Sequence, residues 1–170
     1  MTQRMQSVRF GRRRGLRQAA AHQSGVGLIE VLVAVLVLSI GFIGVAALQA
    51  RSLSTNNSAM SRSLATVASY SILDAMRADL TNAVGGSYNG LSPVKASACP
   101  AASGGLANAQ VSQWCKTQLV PLGTSTVGTI NCTAATGTTT AYCTVTVQFD
   151  DSRAGLGGST NQQVVTQAML

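Results

Sequence analysis

From Val26 to Leu48 the chain is apolar except for Glu30, Ser39 and three glycines. As a helix this stretch would rise about 35 Å, enough to cross the hydrocarbon core of a bilayer. Any fold available to the chain must therefore place this segment in lipid or against other apolar surfaces. Charge fixes the direction. Six of the twelve basic residues (Arg4, Arg9, Arg12, Arg13, Arg14, Arg17) precede Gly25, and no acidic residue does. Basic residues flanking an apolar span are retained on the cytoplasmic side, so residues 1–25 stay there and the C-terminal part is sent across. From Val26 onward six basic residues face five acidic ones. The formal charge of +7 thus belongs to the N-terminal arm and orients the chain. No basic stripe with interleaved aromatics follows, so nucleic acid is not an expected partner.

Glu30 separates three readings of the apolar segment. A secretory signal would carry its cleavage site at Val45-Ala46-Ala47, and Arg12-Arg13-Arg14 hints at a twin-arginine signal. A plain membrane anchor would need no cleavage. Neither has a use for a carboxylate that costs roughly 2.5–3.5 kcal/mol to insert in an apolar helix. The third reading gives Glu30 a partner. A cut after Gly25 turns Val26 into a new α-amine, four residues from Glu30 and at the helix N-terminus, where a carboxylate is favoured. Between chains, the amine of one subunit can meet the Glu30 of the next. Before that, Glu30 lies one turn inside the segment and can snorkel to the headgroups.

The run Gly25-Val26-Gly27-Leu28-Ile29-Glu30-Val31-Leu32-Val33-Ala34 resembles the leader junction of type IV pilins and pseudopilins. Val26 stands where phenylalanine is usual, Gly27 where threonine is common, and the proline often found near the middle of the helix is missing. The resemblance implies that a prepilin peptidase cuts between Gly25 and Val26, that Val26 is N-methylated, and that Glu30 acts in assembly. Leu38-Ser39-Ile40-Gly41-Phe42-Ile43-Gly44-Val45-Ala46-Ala47-Leu48-Gln49 is similar to the minor pilins called type IV pilus modification protein PilV. So is the later order of Trp114, Leu119-Val120-Pro121, Tyr142-Cys143-Thr144-Val145-Thr146-Val147 and Asp150-Asp151. The implied partners are other pilin subunits, major and minor, the prepilin peptidase, an inner-membrane assembly platform and the lipid bilayer. A part in priming pilus assembly or in tip adhesion is implied as well.

Residues 49–82 contain no proline or glycine. Leu53, Met60, Leu64, Val67, Tyr70, Leu73, Met76 and Leu80 recur mostly at helical gaps, in a stripe that drifts around the axis. A helix that touches its own domain on one side and neighbouring subunits on another has this pattern, and so does a core helix. Asn82 and Gly85-Gly86 end it, which predicts one helix over 26–82 of about 85 Å. Residues 83–107, rich in Gly, Ser and Ala, read as a loop. Asn108 is a candidate cap for a short helix with Val111, Trp114, Cys115 and Leu119 on one side and Pro121 as its stop. Alternation predicts strands at about 126–132, 140–149 and 163–169.

Cys99, Cys115, Cys132 and Cys143 all lie beyond the apolar segment. An even set on that side of a membrane reads as disulfides in an oxidising compartment. No Cys-x-x-Cys pair supports a zinc site, and the one histidine, His22, is in the leader. Ile130 and Cys132 share a face of their strand, which suits a Cys132–Cys143 bridge across the hairpin and leaves Cys99 with Cys115. Four cysteines nonetheless allow three pairings. Asp150-Asp151-Ser152 reads as an exposed turn, because no spaced ligand set completes a calcium loop.

The expected class is α+β: a long N-terminal helix, transmembrane over its first half, packed on a small antiparallel sheet. The expected organisation is a basic leader over 1–25, removed, a transmembrane half-helix over 26–48, a periplasmic half-helix over 49–82 and a disulfide-bonded head over 83–170. No motif for catalysis, metal or cofactor is legible, so the chain reads as a substrate of the peptidase and not as an enzyme. The leading expectation is a minor pilin held in the inner membrane with a periplasmic domain before assembly, and in an extracellular pilus afterwards. Two other expectations stand beside it: a minor pseudopilin of a type II secretion system, and a secreted disulfide-bonded binding domain released near Ala47.

Overall fold

The computed structural model describes residues 25–155 and 157–170. The leader before Gly25, with its arginines and His22, lies outside the described residues. The chain divides into two compact units, residues 1–42 and 43–170.

In the first unit, residues 25–27 have no regular structure and helix α1 (Leu28–Ala78) begins at Leu28. The helix expected from residue 26 therefore starts two residues later, since Gly25 and Gly27 favour the helix least. All side chains from Leu28 to Phe42 are exposed. The most apolar window of α1 has a mean hydropathy of 2.9, and none of it is buried. A helix that is apolar all round and unburied by its own chain belongs in lipid or among other helices. Within this stretch the Ser39 hydroxyl donates to the carbonyl of Val35 at 2.7 Å, so its polar group is satisfied inside the helix.

In the second unit α1 runs on to Ala78. It breaks at Asp79 and is followed by a short α2 (Leu80–Val84), so the single helix expected to residue 82 is two. A four-stranded antiparallel sheet has the order β1 (Val94–Lys95), β2 (Val127–Ala134), β3 (Ala141–Phe149), β4 (Gln162–Met169). The three strands read from alternation are present. The segment read as a loop adds the two-residue β1, too short and too close to Pro93 to show a period. Helix α3 (Leu106–Trp114) continues through a widened π-type turn, Cys115–Leu119, and a 3-10 turn containing Pro121. It starts two residues before Asn108. That side chain is not its cap but donates to the carbonyl of Ser103 at 2.9 Å.

The core lies between α1, α3 and one face of the sheet. From β3 it takes Cys143, Val145, Val147 and Phe149, from α3 and its extension Val111, Trp114, Cys115 and Leu119. From α1 it takes Ala65, Ala68, Ser69, Ile72, Leu73 and Met76. Of the drifting stripe, only Leu73 and Met76 are buried, while Leu53, Met60, Leu64, Val67 and Tyr70 are exposed. The small residues decide this. With alanine at 65 and 68 the head approaches the helix backbone closely enough for the Trp114 indole N–H to donate to the carbonyl of Ala68 at 2.8 Å. The same indole lies over β2, where Gly128 leaves room: a Cβ there would collide with the Trp114 ring and meet Leu119 at 3.0 Å. The bridges are Cys99–Cys115, which ties the chain after β1 to the end of α3, and Cys132–Cys143, which joins directly opposed residues of β2 and β3.

Candidate functional site

The site read from sequence lies at the start of α1. Gly25, Val26 and Gly27 precede the helix and are exposed, Val26 to 70 %. A Cβ built on Gly25 would meet nothing within 4 Å. The Gly25–Val26 peptide is thus an accessible piece of non-helical backbone, the form in which a peptidase can grip a chain. The carbonyl of Gly27 accepts the first helical hydrogen bonds, from the N–H of Glu30 at 2.9 Å and of Val31 at 3.3 Å. Glu30 therefore sits in the first turn, where its carboxylate faces the positive end of the helix dipole. It is exposed, and neither salt bridge found among the described residues involves it.

Polar chemistry in the second unit is concentrated where the β3–β4 connection lies along α1. Ser54, Ser58 and Arg62 repeat every four residues on one line of the helix. The Ser54 hydroxyl donates to the carbonyl of Arg153 at 2.5 Å and that of Ser58 to Asp151 Oδ2 at 2.6 Å. Arg62 Nη2 lies 3.6 Å from the same carboxylate oxygen. Asp151 is only 4 % exposed, so the turn read as exposed is exposed at Asp150 and Ser152 but buried at Asp151. At Asp150 the backbone N–H of Ser152, at 2.9 Å, and then its hydroxyl hold the carboxyl below the usual carboxylate range, with Arg153 adding to the effect. Local sequence does not distinguish the two aspartates, because Ser58, which bonds Asp151, lies 93 residues away along the chain. The only advance sign was the polar line Ser54, Ser58, Arg62 across an otherwise mixed helix.

A second buried polar group closes the other end of the head. The Tyr88 hydroxyl bonds Asp79 Oδ2 at 2.9 Å and also meets Gln110 Oε1, while Asn82 Nδ2 donates to both Asp79 oxygens. Burial, and then the Asp79 carboxylate, push the Tyr88 phenol well above its usual range. This network fixes the break between α1 and α2. Among the described residues no three His, Cys, Asp or Glu side chains converge as metal ligands would.

An unburied apolar helical segment whose chain continues into a helix packed on a small antiparallel sheet defines a pilin-like α+β protein. The profile of the prokaryotic N-terminal methylation motif matches residues 20–46, which include Gly25, Val26 and Glu30. Neither a curated protein nor a solved structure matches the chain. The chain thus carries a type IV pilin-like leader motif on a pilin-like fold.

Proposed function

We propose that the chain is the precursor of a minor pilin of a type IV pilus. The observation that carries this is the methylation motif over residues 20–46, placed where the Gly25–Val26 peptide is exposed and the apolar helix beyond it is unburied. In this reading a prepilin peptidase cleaves after Gly25 and the new amine of Val26 is methylated. The apolar part of α1 holds the subunit in the inner membrane, its head in the periplasm, until helix packing draws it into the filament. A methylated amine stays basic, so the charge that complements Glu30 is retained. Similarity of residues 38–49, and of the order Trp114, Pro121, Cys143, Asp150, to minor pilins supports the minor role in priming or tip adhesion. Release by ordinary signal cleavage is disfavoured because Val45-Ala46-Ala47 lies inside α1.

Mass spectrometry of the N-terminal peptide of the mature protein tests the proposal. The expected product begins at Val26 and is heavier by one methyl group. A mature chain beginning near Leu48 would overturn it.

A further inference from the structure

The β3–β4 connection, held on α1 by Ser54, Ser58 and Arg62, also walls a cleft of about 380 Å³. Three separate pieces of chain enclose it. Helix α1 contributes Asn57, the turn at the end of the α3 extension contributes residues 121–125, and the connection contributes Asp150, Asp151 and Arg153. The volume falls at the small end of the range of ligand clefts, roughly 300–1,000 Å³.

The walls are fixed in advance, but their polar groups are not used up. Ser54 holds the carbonyl of Arg153, while Ser58 and Arg62 engage only Oδ2 of Asp151. Asp151 is 4 % exposed and lines the cleft, yet its Oδ1 takes no hydrogen bond among the described residues. The side chains of Asn57, Thr124 and Arg153 line the same cleft and are likewise unbonded among the described residues. The carboxylate of Asp150 receives the N–H of Ser152 on one oxygen, at 2.9 Å, and keeps the other. A nearly buried carboxylate oxygen without a donor is costly unless water or a ligand supplies one. The cleft therefore holds unspent donors and acceptors from three elements that do not satisfy one another.

We propose that this cleft binds one hexopyranose ring of a neutral glycan. Charge selects the ligand. Asp150 and Asp151 repel an anion, Arg153 repels a cation, and the charge of Arg62 is already matched to Asp151. Among the described residues no three acids, histidines or cysteines converge to hold a metal ion. An apolar ligand would leave the polar groups without partners. What remains is an uncharged molecule dense in groups that both donate and accept, and hydroxyls do both. Sugar hydroxyls can donate to Asp150 and to Oδ1 of Asp151, while Asn57, Thr124 and Arg153 donate to other sugar oxygens. Pro121 and Leu122, on the same wall, offer an apolar strip to the C–H groups of the ring. The site lies wholly within residues 43–170, goes beyond the pilin reading and does not depend on cleavage at Gly25.

The full chain, in a detergent without a sugar headgroup, is titrated with the methyl glycosides of glucose, galactose, mannose and N-acetylglucosamine, and binding is followed by saturation-transfer NMR. At least one should bind with a Kd of about 1 mM or tighter. Asp150→Asn keeps an acceptor for the Ser152 N–H and removes the charge. It should weaken that Kd by roughly fivefold or more, as should Asn57→Ala, with the fluorescence of Trp114 unchanged in both. Tyr142→Ala, at the opposite end of β3 from Asp150, should bind as the native chain does. Binding of none of these glycosides, or native affinity in both Asp150→Asn and Asn57→Ala, would overturn the proposal. So would an equal loss in Tyr142→Ala, or displacement of the glycoside by an equal concentration of glucuronate, glucosamine or calcium.

Discussion

Single residues show how differently the same side-chain type is used across this chain. Asp150 is solvated, Asp151 is held under a helix, and Asp79 ties a helix break to a buried phenol. The Tyr88 hydroxyl has a consequence that can be measured. Its folded-state pKa is raised, so the protonated phenol is favoured in the folded chain. The stability it contributes is complete below the unfolded tyrosine value, near 10, and is lost as pH rises above that. Alkaline unfolding should therefore set in from about pH 10. Tyr88→Phe should remove most of that dependence, while losing about 1 kcal/mol at neutral pH with the hydrogen bond to Asp79. Denaturant titrations of both proteins between pH 7 and 11 check this, and parallel curves would show that Tyr88 is not the group responsible. Asp150 acts in the opposite sense. Its carboxyl is held low, so its contribution is present above the unfolded carboxylate value and fades as pH falls through the lower folded one.

At the scale of elements, what could be read in advance was what repeats locally. Alternation marked β2, β3 and β4, and the unbroken apolar run marked the first half of α1. The rest depended on partners distant in sequence. Which face of α1 is buried was set by Ala65 and Ala68, whose small size matters only because Trp114, 46 residues away from Ala68, reaches the helix backbone. The hydrogen bonds of Ser92 and Asn89 to the backbone of β2 span 38 and 43 residues, and no period in the sequence records them. The leader motif around Gly25–Glu30 was legible because it is contained in consecutive residues, within the 20–46 that the methylation profile matches. Gly128 shows what the long-range packing requires. A methyl group there has no space beneath the Trp114 ring, so Gly128→Ala must shift α3 away from β2. Overpacking of this kind costs about 1–3 kcal/mol. The urea midpoint should fall with little change in slope, followed by the fluorescence of Trp114, the single tryptophan. An unchanged midpoint would mean that α3 and β2 are less closely packed than the structure has them.

For the whole molecule the governing problem is a carboxylate carried into a membrane. Glu30 lies in the first turn of an apolar helix, and both salt bridges among the described residues lie elsewhere. Insertion must bear its roughly 2.5–3.5 kcal/mol. In the proposed function that cost is offset only after the cut at Gly25, when the amine of Val26 on a neighbouring subunit meets the carboxylate among packed helices. Removing the acid should therefore separate the stages. Glu30→Ala should insert at least as well as the native chain and still be cleaved, since the Gly25–Val26 peptide stays exposed. In the filament it would leave a buried amine without its partner, and losing one member of a buried pair costs about 3–5 kcal/mol. Glu30→Gln distinguishes charge from hydrogen bonding: it keeps an acceptor but not the charge, and should assemble nearly as poorly as Glu30→Ala. Immunoblots of membrane and sheared-filament fractions report both stages. Normal recovery of Glu30→Ala in filaments would refute the pairing while leaving cleavage at Gly25 intact. Loss of the protein from the membrane fraction would instead mean that Glu30 acts earlier, in insertion, where an apolar alanine has every physical advantage.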